Sequence, residues 1–367
     1  MNKAMRIGII GCGNISQAYF NGTKLFRAVE ITACADLNMD AARAKAEEHG
    51  VKALTVEELL ASDEVEIVLN LTIPSVHAEI NLRALEAGKH VYTEKPFAIE
   101  LQDSQQVLAL AEAKGLRVGC APDTFLGAGL QTCRKLVEDA WIGTPLSGTA
   151  FMMGRGPEGW HPNPAFFYQR GGGPMLDMGP YYITALVHLL GPVASVTAVT
   201  SKAREVRIAT SEKAFGQALP VEVPTHNSGV LVFESGAVIT MVISFDVQRH
   251  QHNNIELYGS AGSLQVPDPN TFGGPVRLFR NGNDAWQDMP FTHGYATNSR
   301  SMGVADMATA IQSGRPHRCS GALAHHVLEV MHAFEASSQQ GGRVMLQSRC
   351  DQPAALPLNL LPGVLDD

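Results

Sequence analysis

The chain has no surplus of positive charge. Its 367 residues carry 28 Lys and Arg against 36 Asp and Glu, a formal net charge of -8. Nucleic acids and anionic membranes both select basic surfaces, so neither is expected as a partner. Paired cysteine motifs are missing as well. The six cysteines, Cys12, Cys34, Cys120, Cys133, Cys319 and Cys350, are scattered with no C-x-x-C pair. That spacing suggests neither a zinc site nor a disulfide framework. They read as small buried hydrophobes in a reducing compartment, and no metal is expected. No apolar run approaches the length of a membrane span. The run Ile7–Gly11 is too short and too rich in glycine for a signal segment, and no twin arginine precedes it. A cytoplasmic location is the expectation. Internal repeats and low-complexity segments are also lacking.

What is present is a soluble, core-forming composition, 45% hydrophobic and 17% charged, on a chain long enough for two domains. Up to residue 122, short apolar runs alternate with helical stretches. Strands are expected at Arg6–Ile10, Val29–Ala35, Glu66–Leu71, His90–Thr93 and Arg117–Ala121. Helices are expected at Asn14–Arg27, Ala41–His49, Val76–Ala87 and Leu101–Lys114, the last two closed by Gly88 and Gly115. This alternation predicts an α/β fold with a parallel, doubly wound sheet. The rhythm then changes. A helix (Leu130–Ala140), a strand (Leu146–Met153), a Gly- and Pro-rich region and a helix from about Tyr181 to Leu190 follow. Strand-like runs come next at Val193–Thr200, Gly229–Phe233, Ala237–Phe245 and Asn254–Tyr258, separated by short turns that imply an antiparallel sheet. Val304–Gln312 and Ala322–Ser337 read as closing helices. The expected division is 1–123 for a nucleotide-binding domain and 124–367 for a second α/β domain.

Two stretches carry chemistry in the first half. Gly8-Ile-Ile-Gly11-Cys12-Gly13-Asn14-Ile15-Ser16 lies between the first strand and first helix and contains G-x-G-x-x-S. Such glycines let the backbone approach a pyrophosphate at a helix N-terminus. Asp36 closes the second strand, where a carboxylate bonds the adenosine ribose and repels a 2′-phosphate; NAD is favoured over NADP. A turn or helix-cap role for Asp36 remains open. The loop from Thr72 through Pro74 to His77 falls at the same sheet edge and could line the nicotinamide side; an internal hydrogen-bonding role for His77 is equally open. Glu94-Lys95-Pro96 follows the strand ending at Thr93, so Glu94 and Lys95, both expected at the cofactor, stand at the carboxyl end of a strand, where open α/β sheets bind ligands. Pro96 also admits a cis peptide.

With Gly171-Gly-Gly-Pro-Met-Leu-Asp177-Met-Gly179 added, these motifs resemble the family of glucose–fructose oxidoreductase, inositol dehydrogenase and MocA over nearly the whole chain. The resemblance implies a Rossmann domain followed by an α/β domain with a large open sheet. It implies NAD(P)-linked oxidation or reduction of a secondary alcohol on a sugar or cyclitol. It gives Lys95 contact with the reacting hydroxyl and the nicotinamide side, and it maps the family's Asp onto Asp177. Many members carry His four residues after that Asp; Tyr181 stands here, as in glucose–fructose oxidoreductase itself.

Four residues apart, Asp177 and Tyr181 share one face if the segment is helical, and a helix N-terminus there would favour an anionic Asp177. Tyr181 is the expected proton acceptor. Because a free tyrosine titrates near pH 10, the role needs a neighbouring positive charge such as Lys95. Lys95 as acceptor is the alternative, and a capping role for Asp177 stays open. Asp123, Trp160 and His161 are expected to shape the substrate pocket, with Trp160 stacking on a pyranose or else anchoring its loop in a core. The pairs His250/His252 and His325/His326 read as polar strand ends or subunit contacts. An NAD-dependent glycosidase and a non-catalytic sugar sensor are the competing functions. Self-association through the C-terminal sheet, as a homodimer or homotetramer, is expected.

Overall fold

The computed structural model describes residues 3–366, which form two compact units. One holds the chain up to Gln131 together with Thr292–His325 and the segment from Pro353 onward; the other holds Thr132–Phe291 and His326–Gln352.

The first unit is built on a six-stranded sheet. Its strands are β1 (Met5–Ile10), β2 (Val29–Ala35), β3 (Lys52–Leu54), β4 (Ile67–Asn70), β5 (His90–Thr93) and β6 (Val118–Cys120). Their spatial order is β3-β2-β1-β4-β5-β6, and every pairing is parallel. That is the Rossmann order, with the switch point between β1 and β4. Central strands are buried on both faces, so β4 reads as an unbroken buried run. Between the strands lie α1 (Ser16–Thr23), α2 (Met39–His49), α3 (Val56–Ala61), α4 (His77–Glu86) and α5 (Leu101–Lys114). The expected glycine stops are present: Gly115, in the left-handed region at φ 64°, caps α5, and Gly88 follows the end of α4 at φ 76°. Helix α1 is shorter than expected at both ends. Strand β3 and helix α3 escaped the periodicity reading, although α3 carries a full capping box from Thr55 and Glu58.

Helix α6 (Ala128–Glu138) leads from the first unit into the second. There, strand β7 (Pro145–Met153) precedes α7 (Gly173–Leu190), followed by β8 (Val193–Ser201) and a small hairpin of β9 (Val206–Ile208) and β10 (Ala218–Pro220). Next come β11 (His226–Phe233), β12 (Val238–Ser244), β13 (Ile255–Gly259), β14 (Gly262–Val266), β15 (Arg277–Arg280) and β16 (Gln287–Asp288). After α8 (Met302–Ser313) and α9 (Gly321–Gln340), β17 (Val344–Met345) closes the sheet order β16-β15-β14-β13-β7-β12-β11-β8-β17. All of these pairs are antiparallel except β7 with β12. The expected open, mostly antiparallel sheet is therefore present. Helix α9 covers one face. Ser337 and Ser338 accept the N–H groups of Ala198 and Thr200, and a Cβ on Gly229 would stand 2.8 Å from Phe334. On the other face Thr197, Val199, Val230, Val238 and Thr240 line up by register and are exposed.

Helix α7 corrects one expectation. It begins at Gly173, not near Tyr181, with a proline in its first turn. Pro180 lies inside it, so the carbonyl of Leu176 lacks its usual helical N–H. Gly179 and Pro180 read as breakers in sequence; packing overrides them, since nearly the whole helix is buried.

Segment 292–325, which the expected division assigns to the second domain, belongs to the first compact unit. Asp123 holds it by accepting the N–H groups of Ser301 and Gly303, and the Cys319 carbonyl accepts from Cys120 N–H. Such long-range returns leave no local periodicity. Five cysteines are buried, Cys350 is half-buried, and all six are free thiols.

Candidate active site

Gly11 begins the phosphate loop at φ 106°, and a Cβ there would stand 2.6 Å from the Leu71 carbonyl oxygen. Only glycine fits that crossing of β1 past β4. Gly13 differs: a Cβ there meets no protein atom within 4 Å, so nothing in the fold requires a glycine. It faces the open space where a ligand would approach. Helix α1 starts beside it with no side-chain cap on its N-terminus and no acidic residue in its first turn. Ser16 and Ala18 turn their N–H groups back to the Gly13 and Ile15 carbonyls, so what this end offers an anion is chiefly its positive dipole. Asn14 is exposed and Ile15 half-buried at this turn, while the Ser16 hydroxyl donates to the Gly13 carbonyl at 2.7 Å and tightens it. Gly8, expected to contact the cofactor, instead serves packing, because a Cβ on it would stand 2.9 Å from Leu59.

A cavity of about 430 Å³ opens beside this loop. Asp36, at its rim, accepts from Cys12 N–H at 2.7 Å and from Asn38 N–H at 2.8 Å. Leu37 and Ile73 also line it, 97% and 66% exposed. Side chains so apolar and so exposed suit the two faces of a flat aromatic base. Sequence reading missed both; the signal was an apolar residue directly after Asp36. Arg83 lies in the same cavity, but its guanidinium is engaged by Glu57 at 2.8 Å and by Glu79 at 4.0 Å. Glycine cradle, bare helix end and carboxylate rim together fit a dinucleotide.

Lys95 is half-buried at the end of β5 and is joined to Pro96 by a cis peptide bond. Its neighbours fix it from two sides. Buried His77 places Nδ1 2.7 Å from the Pro96 carbonyl and Nε2 3.1 Å from the Thr72 carbonyl. Burial lowers the ring's proton affinity, and a neutral ring has one N–H to donate. His77 therefore donates to one of these two carbonyls at a time, packed between the Thr72–Pro74 loop and the Lys95–Pro96 turn, and does not face a ligand. Asn70, also missed, shapes that loop from below: its amide oxygen accepts from the Thr72 hydroxyl at 2.6 Å and its nitrogen donates to the His77 carbonyl at 3.0 Å.

Glu94, expected at the cofactor, is turned inward and is 7% exposed. It accepts from the Tyr19 hydroxyl at 2.8 Å, from Lys95 N–H at 3.0 Å and from Arg300 at 3.2 Å. Burial alone would raise its pKa. The charges of Arg300 and Lys95, with the hydrogen bonds from Tyr19 and Lys95 N–H, outweigh burial and hold it below the ordinary carboxylate range. Asp123, expected at the substrate, is fully buried and serves as the acceptor at the start of α8. It presents no surface to a ligand, and burial raises its pKa.

In the second unit, Asp177 lies in the second turn of α7, half-buried, with Tyr181 one turn further on and 5% exposed. Asp177 is thus neither a helix cap nor in the first turn, and the expected support from the helix dipole does not apply, since that effect fades within a turn. The loop before α7 exposes Trp160 (69%), whose ring meets His161 edge-on at 5.4 Å. Trp160 does not anchor the loop. Tyr168 and Arg207 do: the Tyr168 hydroxyl donates to Glu158, while Arg207 pairs with Glu158 and Asp246 and donates to the Arg155 carbonyl at 2.7 Å. His326, expected at a polar surface, is buried; its Nε2 accepts from Val193 N–H at 3.0 Å. Among the described residues no group of three or more His, Cys, Asp or Glu comes together as a metal site, and no helix is long and apolar enough to cross a membrane.

Fold and loop define a dinucleotide-binding Rossmann domain, and comparison with known proteins gives the class, an oxidoreductase. Residues 5–121 match the oxidoreductase family with an NAD-binding Rossmann fold, and residues 130–265 match the GFO/IDH/MocA C-terminal domain. An inositol 2-dehydrogenase of Saccharopolyspora erythraea is 30% identical over 281 residues, 74% of this chain and 75% of that protein. The 1,5-anhydro-D-fructose reductase of Ensifer adhaerens is 26% identical over 265 residues, 71% of this chain and 74% of that protein. A levoglucosan dehydrogenase structure in complex with NADH and L-sorbose superimposes with a TM-score of 0.81 at 20% identity, covering 95% of this chain and all of that one. The chain belongs to the Gfo/Idh/MocA family of oxidoreductases.

Proposed function

We propose that the protein is an NAD-dependent dehydrogenase or reductase acting on a secondary alcohol of a sugar or cyclitol. The observation that carries this reading is Lys95, clamped at the carboxyl end of β5 on the sheet edge that also bears the phosphate loop. Gly13, Asn14 and Ile15 turn their backbone N–H groups to the pyrophosphate, while Gly11 and Cys12, whose N–H groups are held by the Ala35 carbonyl and by Asp36, shape the loop beneath it. Asp36 takes the ribose hydroxyls, and Thr72 and Pro74 line the nicotinamide end. When bound, nicotinamide accepts or returns the hydride. Lys95 orients the reacting hydroxyl, Asp177 binds the substrate, and Tyr181 or Lys95 takes the proton. Trp160 and His161 offer an apolar face and a hydrogen bond to a sugar ring. Asp36, with Arg83 already neutralised by Glu57 and Glu79, favours NAD over NADP. The two named relatives act, by their names, on a cyclitol and a sugar, which supports the substrate class. The six free thiols suit a reducing cytoplasm.

A panel of inositols, pyranoses and aryl glycosides, assayed with NAD and with NADP, tests the reading. NADH formation without aglycone release is expected. Aglycone release with no net NADH would make the protein a glycosidase, and cofactor binding with no turnover would make it a sensor.

A further inference from the structure

We propose that Arg300 is a positioning residue for Lys95, acting through the buried carboxylate of Glu94. This depends on the role given to Lys95 above. Arg300 is remote in sequence from every motif, yet its guanidinium stands 3.2 Å from Glu94 Oε1, and Glu94 Oε2 accepts the backbone N–H of Lys95 at 3.0 Å. The Tyr19 hydroxyl donates to the same Oε1 at 2.8 Å, so the carboxylate has one oxygen for the Arg–Tyr pair and one for Lys95.

The backbone around Arg300 is held in an unfavourable form. Ser301 has φ 93°, a left-handed conformation that a residue with a side chain seldom adopts. Three contacts enforce it. Ser301 N–H donates to Asp123 at 3.1 Å, and its hydroxyl donates to the Tyr19 carbonyl at 3.1 Å. The Arg300 carbonyl lies so close to α1 that a Cβ on Gly22 would stand 1.5 Å from it. Strain kept by several independent contacts marks a segment whose placement matters. What this placement delivers is a positive charge to Glu94. The charged and titratable groups facing that carboxylate are Tyr19 from α1, His77 from α4, Lys95 beside it, Cys120 from β6, Asp123 beyond β6, and Arg300. Only Arg300 and Lys95 bring positive charge, and burial otherwise favours a neutral carboxyl. Without Arg300, Glu94 takes up a proton more readily and loses its grip on the Lys95 backbone.

Arg300→Met, Arg300→Lys and the wild type decide the matter. Acylation of Lys95 by acetic anhydride is followed by peptide mass spectrometry against exposed Lys213 as reference, with NADH binding and turnover measured alongside. In R300M, Lys95 is expected to label several times faster. NADH affinity stays unchanged, kcat falls up to about 10²-fold, as for a misplaced catalytic group, and the acid limb of the kcat profile moves to higher pH. R300K restores most of the lost rate. Wild-type labelling and an unmoved acid limb in folded R300M would overturn the proposal. If R300M does not fold, Tyr19→Phe, which removes the other donor to Glu94 Oε1, must shift Lys95 labelling in the same direction, and wild-type labelling in folded Y19F would overturn the proposal. Absence of turnover by the wild type on every alcohol tested would defeat the proposed function, while labelling still judges Arg300.

Discussion

Replacing Tyr181 by Phe removes one hydroxyl and leaves the buried ring in α7. If that hydroxyl takes the proton, kcat falls by about 10²–10⁴, the usual worth of a general base, with NADH binding unchanged. Lys95→Met tests the other acceptor. Retention of near-full turnover with an unchanged pH profile in Y181F would assign the proton to Lys95. Residues of this kind were legible because they sit in short local patterns: Gly11 and Gly13 in the turn after β1, Asp36 at the end of β2, Lys95 before Pro96. Arg300, Tyr19 and Asn70 were not, because each acts on a partner distant in sequence or by burial. Asp123 and Glu94 were misjudged for a related reason. A carboxylate beside a motif looks like part of a ligand site until burial shows that its partners are N–H groups and side chains of the protein itself.

The elements divide the glycines by purpose. Gly13→Ala introduces a methyl group into empty space, so stability should stay within about 1 kcal/mol of wild type. The same methyl blocks the approach of a pyrophosphate, and NADH affinity should fall at least about tenfold, near 1.4 kcal/mol. Gly22→Ala should do the reverse in kind. Its methyl collides with the Arg300 carbonyl, and thermal unfolding should show a loss of about 1–3 kcal/mol or more. Fluorescence titration of NADH and a melting curve on the pair distinguish a ligand cradle from a packing contact. At this scale the βα alternation of the first unit was readable because buried parallel strands are continuous apolar runs. The start of α7 was hidden by Gly179 and Pro180, and β14 and β15 by their short length and mixed polarity.

For the whole molecule, the open sheet face bearing Val199, Val230 and Val238 is the surface we assign to self-association. A stable pair should bury upward of about 1,000 Å². The double variant Val199→Lys and Val230→Lys should be monomeric by light scattering, still folded, and with a melting temperature that no longer rises with protein concentration; a wild type that is already monomeric would contradict the assignment. The expected division at residue 123 could not anticipate that residues 292–325 and the segment from Pro353 return to the first unit, because that return rests on contacts nearly two hundred residues apart, such as Asp123 to Ser301. The central claim concerns the reaction. Ring-deuterated myo-inositol and deuterated pyranoses, each incubated with NAD and either wild-type protein or K95M, show by mass spectrometry whether hydride moves from carbon to cofactor. The account predicts deuterated NADH from at least one alcohol with the wild type, and a loss of about 10²-fold or more with K95M at unchanged NADH affinity. Deuterium transfer undiminished in K95M, or none from any alcohol by a wild type that binds NADH, would contradict it.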